Sequence, residues 1–197
     1  MPELILASSS PQRKAILEQL GVRFRIVVPA VDELADGPPE VLVLENAHRK
    51  AAAAAAALVG EAGGRQTDAQ PVLGVDTIVA LGDQVYGKPD DREQARATLE
   101  ALSGRTHRVL SGVCLIADGI ARTAAAVTTV AFRLLDAATL DWYLDSGEWQ
   151  GRAGGYAIQG RGAALVERID GDYLNVVGLP VTTLLDLYPS VLIAGIS

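Results

Sequence analysis

The 197-residue sequence predicts an α/β fold built on a mixed β-sheet flanked by helices. Two patterns and one quantity carry that expectation. In the first half, short apolar runs rich in Ile, Leu and Val alternate with segments of helical periodicity, as strands linked by helices do. Further along, apolar runs come in pairs across the turn dipeptides Gly82-Asp83, Asp118-Gly119 and Asp170-Gly171, which predicts hairpins. A hydrophobic content of 49% is enough for one ordinary domain with a sizeable core, or for two small lobes. There is no internal repeat and no convincing linker, so residues 1–197 are expected to form a single domain.

The elements follow in order. Glu3–Ala7 reads as a strand. Ser10 is a suitable N-cap and Pro11 a suitable first residue for a helix over Gln12–Leu20, which Gly21 stops. Val22–Val28 is a second strand, and Pro29–Glu40 a loop with Asp32-Glu33 and Pro38-Pro39. Val41–Val59 is a long helix through the alanine run Ala51–Ala57, since Ala has the highest helix propensity. Gly60–Gln70 is a polar, Gly-containing connection.

Pro71–Leu81 is an apolar strand, paired across Gly82-Asp83 with Gln84–Tyr86. Gly87-Lys88-Pro89 is a loop. Asp90, with Glu93 three residues on, is expected to cap a helix that Gly104 ends, with Ala95, Leu99 and Leu102 on its apolar face. Arg108–Ala117 and Ile120–Leu134 form a hairpin, and Asp136 caps a helix to about Leu144. A glycine-rich stretch over 151–162 precedes a second expected hairpin, Ala163–Ile169 with Tyr173–Val177. Pro180 starts a last helix that stops before Pro189.

Composition narrows the function classes. The net charge is −7 without a basic tract, which argues against nonspecific nucleic-acid binding but leaves room for a phosphorylated small molecule in a local positive pocket. No apolar stretch is long enough to span a membrane, and the chain enters its first strand without a basic leader; a soluble, cytoplasmic protein is expected. The single cysteine, Cys114, rules out an internal disulfide and a cysteine-based zinc site, and its apolar setting reads as a buried inert thiol. Two histidines, His48 and His107, cannot build a multi-histidine metal site; His107 reads as structural, and Trp142 and Trp149 as core or interface residues.

Asp76 stands out. A carboxylate inside the run Pro71–Leu81 is costly to desolvate without a partner. It is either a general base or magnesium ligand in a site, or an acid paired with a neighbouring Arg or Lys. Thr77, next to it, points to the other face if the strand is regular. At the first helix start, Ser8, Ser9 and Ser10 supply hydroxyls and the free N–H groups attract anions. Arg13 and Lys14 there oppose the helix dipole, which a bound phosphate chain would resolve and simple solvation would equally allow. Asp32-Glu33 are loop acids that are solvated by default and could serve a metal. Lys88 could reach a phosphate as a point charge. The glycines of 154–162 permit close backbone approach, and Gln159 could make a two-sided contact with a base edge.

Eight segments taken together resemble the Maf family of nucleotide pyrophosphatases. They are Leu6-Ala-Ser-Ser-Ser-Pro-Gln-Arg13, Val31-Asp-Glu33, Gly74-Val-Asp-Thr77, Gly87-Lys-Pro89, Leu102-Ser-Gly-Arg-Thr-His107, Ala153-Gly-Gly-Tyr-Ala-Ile-Gln-Gly160, Ile169-Asp-Gly-Asp-Tyr173 and Val177-Gly-Leu-Pro180. Each alone is weak; in order across nearly the whole chain they are specific. The resemblance implies an elongated mixed sheet with two lobes around a substrate cleft, as in inosine triphosphatase-like folds. It implies hydrolysis of a nucleoside triphosphate to monophosphate and pyrophosphate, a divalent cation (Mg²⁺ or Mn²⁺), a cytoplasmic setting and a homodimer. House-cleaning of nucleotide pools and a role in cell-division arrest belong to the same expectation.

By that resemblance Asp76 is the catalytic base and, with Glu33, a metal ligand. Ser8, Ser10, Arg13, Lys50 and Lys88 bind substrate, and Gln12, Thr77 and Gln159 are specificity positions. Thr77 and Gln159 look like the subgroup acting on dTTP and UTP. Gln12 departs from both known patterns, Arg in the pyrimidine type and Trp in the methylguanosine type. The rival readings are a purine-directed hydrolase of inosine or xanthosine triphosphates, and a septum-formation regulator for which hydrolysis is incidental.

Overall fold

The structure, a computed structural model, describes residues 3–61 and 70–195. Most of the connection expected over Gly60–Gln70 lies outside the described residues. The strands are β1 (Leu4–Leu6), β2 (Phe24–Ile26), β3 (Val72–Leu81), β4 (Gln84–Tyr86), β5 (Thr106–Ala117), β6 (Ile120–Phe132) and β7 (Val166–Asp170). The α-helices are α1 (Pro11–Gln19), α2 (Pro39–Glu61), α3 (Arg92–Leu102), α4 (Ala137–Leu144), α5 (Tyr173–Val177) and α6 (Val181–Leu187). The sheet runs β2-β1-β3-β5-β6-β7, with β4 added to β3. It is mixed, as expected, and the chain forms two compact units. Among the described residues no helix is long and apolar enough to cross a membrane.

The first unit comprises Met1–Asp76, Ser111–Ala126 and Gly178–Ser197. In it β1 pairs in parallel with β2 and with β3, which α1 and α2 make possible as crossover connections. The alanine run is explained by how α2 packs. Ala47, Ala51 and Ala54, on one helical stripe, are fully buried with Ile5, Ala7, Val72 and Cys114, whereas Ala56 and Ala57 are exposed. The facing strands carry glycine. A Cβ on Gly74 would run into the Ala47 carbonyl and lie 2.7 Å from the Ala51 nitrogen; one on Gly112 would run into the Val43 carbonyl and lie 2.8 Å from the Leu44 nitrogen. Small residues on both sides let backbone approach backbone. Burial pushes the Cys114 thiol up to about 11, so it is the inert thiol expected. Asp118 and Gly119 join β5 to β6 with φ of 52° and 73°, the positive-φ pair that suits a two-residue hairpin.

The second unit comprises Thr77–Leu110 and Val127–Val177. Here β4 pairs antiparallel with β3 across Gly82-Asp83, and β7 antiparallel with β6. Ala95, Leu99 and Leu102 of α3 meet Leu140, Tyr143 and Leu144 of α4 in a core completed by Phe132, Trp149, Tyr156 and Leu165. Trp149 donates its indole N–H to the Leu144 carbonyl at 3.2 Å, and Trp142 is half exposed.

Three local expectations are corrected. The N-cap of α3 is Asp91, not Asp90; its carboxylate accepts the Gln94 N–H at 2.8 Å, while the Gln94 side chain returns to the Asp90 N–H at 3.1 Å. Ser10 occupies the N-cap position of α1, but its hydroxyl donates to Gln12 Oε1 at 3.1 Å instead of capping the helix. Tyr173–Val177 is helical, and β7 pairs with β6 instead. Asp172 decides this by accepting the N–H groups of Leu174 and Asn175 at 2.7 and 3.3 Å, which starts a helical turn. Asn175 is then fully buried, donating to the Val109 carbonyl and Thr128 Oγ1 at 3.0 Å each.

Candidate active site

The acid in the apolar strand has a partner. Asp76 is 6% exposed, and Lys50 Nζ lies 2.7 Å from its Oδ1. The same ammonium lies 3.0 Å from Glu33 Oε1. The close approach of α2 to β3 at Gly74 explains the pairing, because it puts the helix face carrying Asn46 and Lys50, four residues apart, beside Asp76. One partly buried ammonium thus joins a buried carboxylate to a half-exposed one.

Asn46 was not foreseen. Its side chain accepts the Leu34 N–H at 2.7 Å, donates to the Leu34 carbonyl at 3.0 Å and reaches Asp76 Oδ2 at 3.4 Å. Arg49 donates to the Asp32 carbonyl at 3.1 Å. Three side chains of α2 therefore hold the Asp32–Leu34 loop and bring Glu33 to Lys50. An Asn four residues before the lysine, on the same helical face, was the available signal, and only the loop backbone gave it meaning.

Arg13 is buried, unlike the exposed Lys14, which pairs with Glu18 at 3.7 Å. Its guanidinium donates to Ser8 Oγ at 2.8 Å and to the Gly178 carbonyl at 2.9 Å. Burial lowers its pKa from the ordinary value, against the opposing pull of Asp76 and Glu33, and it remains a cation. Ser8 also accepts the Ser10 N–H at 3.2 Å. Gln12 is occupied by the Ser10 hydroxyl. Ser8, Arg13, Glu33, Lys50 and Asp76 thus belong to one compact unit, with basic and acidic groups interleaved.

The second unit gathers the remaining predicted residues. Lys88 is exposed on its loop, and that loop is tied to the glycine-rich segment by a hydrogen bond from the Gly154 N–H to the Gly87 carbonyl at 2.9 Å. Gly154 has φ of 68°, and a Cβ there would stand 2.6 Å from Val79 Cγ2. Gln159 is exposed at the far end of the segment, and Thr77 is half-buried in β3. His107 is structural, as expected. It is buried edge-on to Phe132 and Tyr156, with Nε2 2.9 Å from the Tyr156 hydroxyl, and burial lowers its pKa to about 4.

Among the described residues no three His, Cys, Asp or Glu side chains form a metal cage. Glu33 and Asp76 meeting on one ammonium are nonetheless a pair of hard oxygen donors. Mg²⁺ is commonly held by one or two carboxylates with the rest of its shell from phosphate and water, so these residues fit a cation that arrives with a phosphate chain.

Comparison with known proteins shows the family. The family model described as "Maf-like protein" matches residues 3–190. Curated relatives named "dTTP/UTP pyrophosphatase" include one from Symbiobacterium thermophilum, 46% identical over 92% of this chain and 90% of its own length. Another, from Alkalilimnicola ehrlichii, is 44% identical over 91% of this chain and 88% of its own. A third, from Pyrococcus furiosus, is 42% identical over 95% and 94%. At that identity and over nearly the full length of the match, the chain belongs to the Maf family.

Proposed function

We propose that this protein is a nucleoside triphosphate pyrophosphatase that hydrolyses dTTP and UTP to the monophosphate and pyrophosphate. The observation that carries the reading is the Lys50 ammonium held between Asp76 and Glu33 beside the buried Arg13. The names of the relatives supply the substrates.

In this reading Arg13 and Lys50 neutralise phosphate oxygens, and Ser8 and Ser10 donate hydrogen bonds to them. Phosphate oxygens compete with Asp76 for Lys50. Once the ammonium turns to the substrate, the Asp76 carboxylate is free to accept a proton from a water. The water oxygen bonds to the α-phosphorus, the bond from that phosphorus to the α,β-bridging oxygen breaks, and pyrophosphate leaves. A divalent cation held by Glu33 and Asp76 would supply charge neutralisation for the leaving group. Lys88 as a further phosphate contact, and Gln12, Thr77 and Gln159 as contacts to the base, rest on the family motifs. A homodimeric, cytoplasmic setting rests on the same ground.

The test is pyrophosphate release over a panel of canonical and modified nucleotides with Mg²⁺ or Mn²⁺. dTTP and UTP are expected to lead, and preference for inosine or xanthosine triphosphate would overturn the pyrimidine reading. Asp76→Asn is expected to keep the circular-dichroism spectrum and lose turnover by about 10²–10⁴-fold. Near-wild-type rates in that variant would remove Asp76 as the base.

A further inference from the structure

Gln159 is exposed, yet the backbone on both sides of it is anchored by groups that have no part in the proposed chemistry. The Ala157 N–H donates to the Tyr143 hydroxyl at 3.0 Å, and the Arg161 N–H donates to Glu148 Oε2 at 2.6 Å. Between these points the Gly160 N–H closes a turn onto the Ala157 carbonyl at 3.0 Å. A Cβ on Gly160 would stand 2.8 Å from the Glu148 carboxyl carbon and closer still to Oε2, so a side chain there would displace that carboxylate. Ahead of the turn, Tyr156 is held by His107.

The two anchors are themselves joined. Ser146 Oγ donates to the Tyr143 carbonyl at 2.5 Å and accepts the Glu148 N–H at 3.1 Å. Trp149 closes the same turn onto Leu144. Outside, the Arg161 guanidinium lies over the Trp142 ring, 5.8 Å from its centre. The end of α4 and the turn after it therefore form one bracket, built from a fully buried Tyr143 and a carboxylate, that grips residues 157 and 161 and leaves the side chain between them free.

We propose that Tyr143 and Glu148 are positioning residues for base selectivity, fixing the backbone of residues 157–161 and through it the reach of Gln159. This rests on the reading of Gln159 as a base contact. A single long side chain on a loose loop discriminates poorly, since each alternative backbone position lets the amide meet a different base edge. Two hydrogen bonds to the flanking N–H groups remove that freedom before the nucleotide arrives.

The experiment compares kcat and KM for dTTP, UTP, GTP and inosine triphosphate in wild type, Glu148→Ala, Glu148→Gln and Gln159→Ala, with melting temperature measured alongside. In Glu148→Ala the preference for the pyrimidine nucleotides is expected to fall about ten- to a hundredfold, mostly through KM. Glu148→Gln keeps an oxygen that can accept the Arg161 N–H and is expected to restore most of the preference. Combining Glu148→Ala with Gln159→Ala should cost no more selectivity than Gln159→Ala alone, since one residue acts through the other.

An unchanged preference in folded Glu148→Ala, or an equal loss on every nucleotide, would overturn the proposal. Should Glu148→Ala fail to fold, Tyr143→Phe keeps the buried ring, removes the acceptor for the Ala157 N–H and faces the same comparison. A wild-type protein without pyrimidine preference, or Gln159→Ala without effect on it, overturns the underlying reading instead, and both show before any Glu148 variant is considered.

Discussion

Asn46 spends its amide on two things at once, the backbone of Leu34 and the carboxylate of Asp76. Asn46→Leu keeps the bulk and removes both. Because Leu34 is partly solvated, water replaces some of what is lost, and unfolding in urea is expected to show a cost of about 1–2 kcal/mol. Pyrophosphate release should fall as well, since Glu33 is then no longer held at Lys50. Unchanged stability and unchanged rate together would show that the loop reaches Lys50 without this clamp. At this scale the sequence was informative about residue type and silent about partners. Asp76 was legible as an acid that needed something, because few residues are worse suited to an apolar strand. That its partner is Lys50, and that Lys50 also holds Glu33, depended on where a helix lies.

Helix α2 lies where it does because Gly74 and Gly112 offer no side chain to keep it away. Gly74→Ala would force the new methyl into the Ala47 carbonyl, backbone against backbone, with no flexible neighbour to yield. Overpacking of this kind costs about 1–3 kcal/mol, so the melting temperature is expected to drop. Turnover should drop further than stability alone accounts for, because moving α2 draws Lys50 away from Asp76. An active, equally stable Gly74→Ala protein would contradict the packing argument. Most elements were readable from local chemistry: Asp136 before α4, the Asp118-Gly119 turn, the apolar stripe of α3 and the alanine-rich α2. The exception was Tyr173–Val177, whose aromatic and β-branched residues favour a strand. There a capping Asp172 and a buried Asn175 outweighed propensity, as tertiary bonds routinely do.

Across the whole molecule, His107 makes stability depend on pH. Its folded pKa of about 4 lies below the ordinary 6.5, so the unfolded chain binds the proton more readily. The contribution of neutral His107 is complete above pH 6.5 and is lost as pH falls towards 4. From this group alone, unfolding free energy should be about 2 kcal/mol lower at pH 5 than at pH 8. His107→Phe would be less stable near neutrality, because the Tyr156 hydroxyl loses its partner, and should show a shallower pH dependence. Parallel curves for the two proteins would remove His107 as the cause.

Residue order by itself determined the alternation of strands and helices in the first half, the turns that end them and the motifs of the family, because each depends on neighbours within a few positions. Only the tertiary structure decided that Asp76 and Lys50, 26 residues apart, form one ion pair, that Asn46 clamps a loop twelve residues before it, and that Tyr143 and Glu148 grip the turn that carries Gln159. The reason is physical. Side-chain partners are chosen by which backbones can approach, and around Asp76 that is set by glycine and alanine at a crossing point next to the polar groups it brings together.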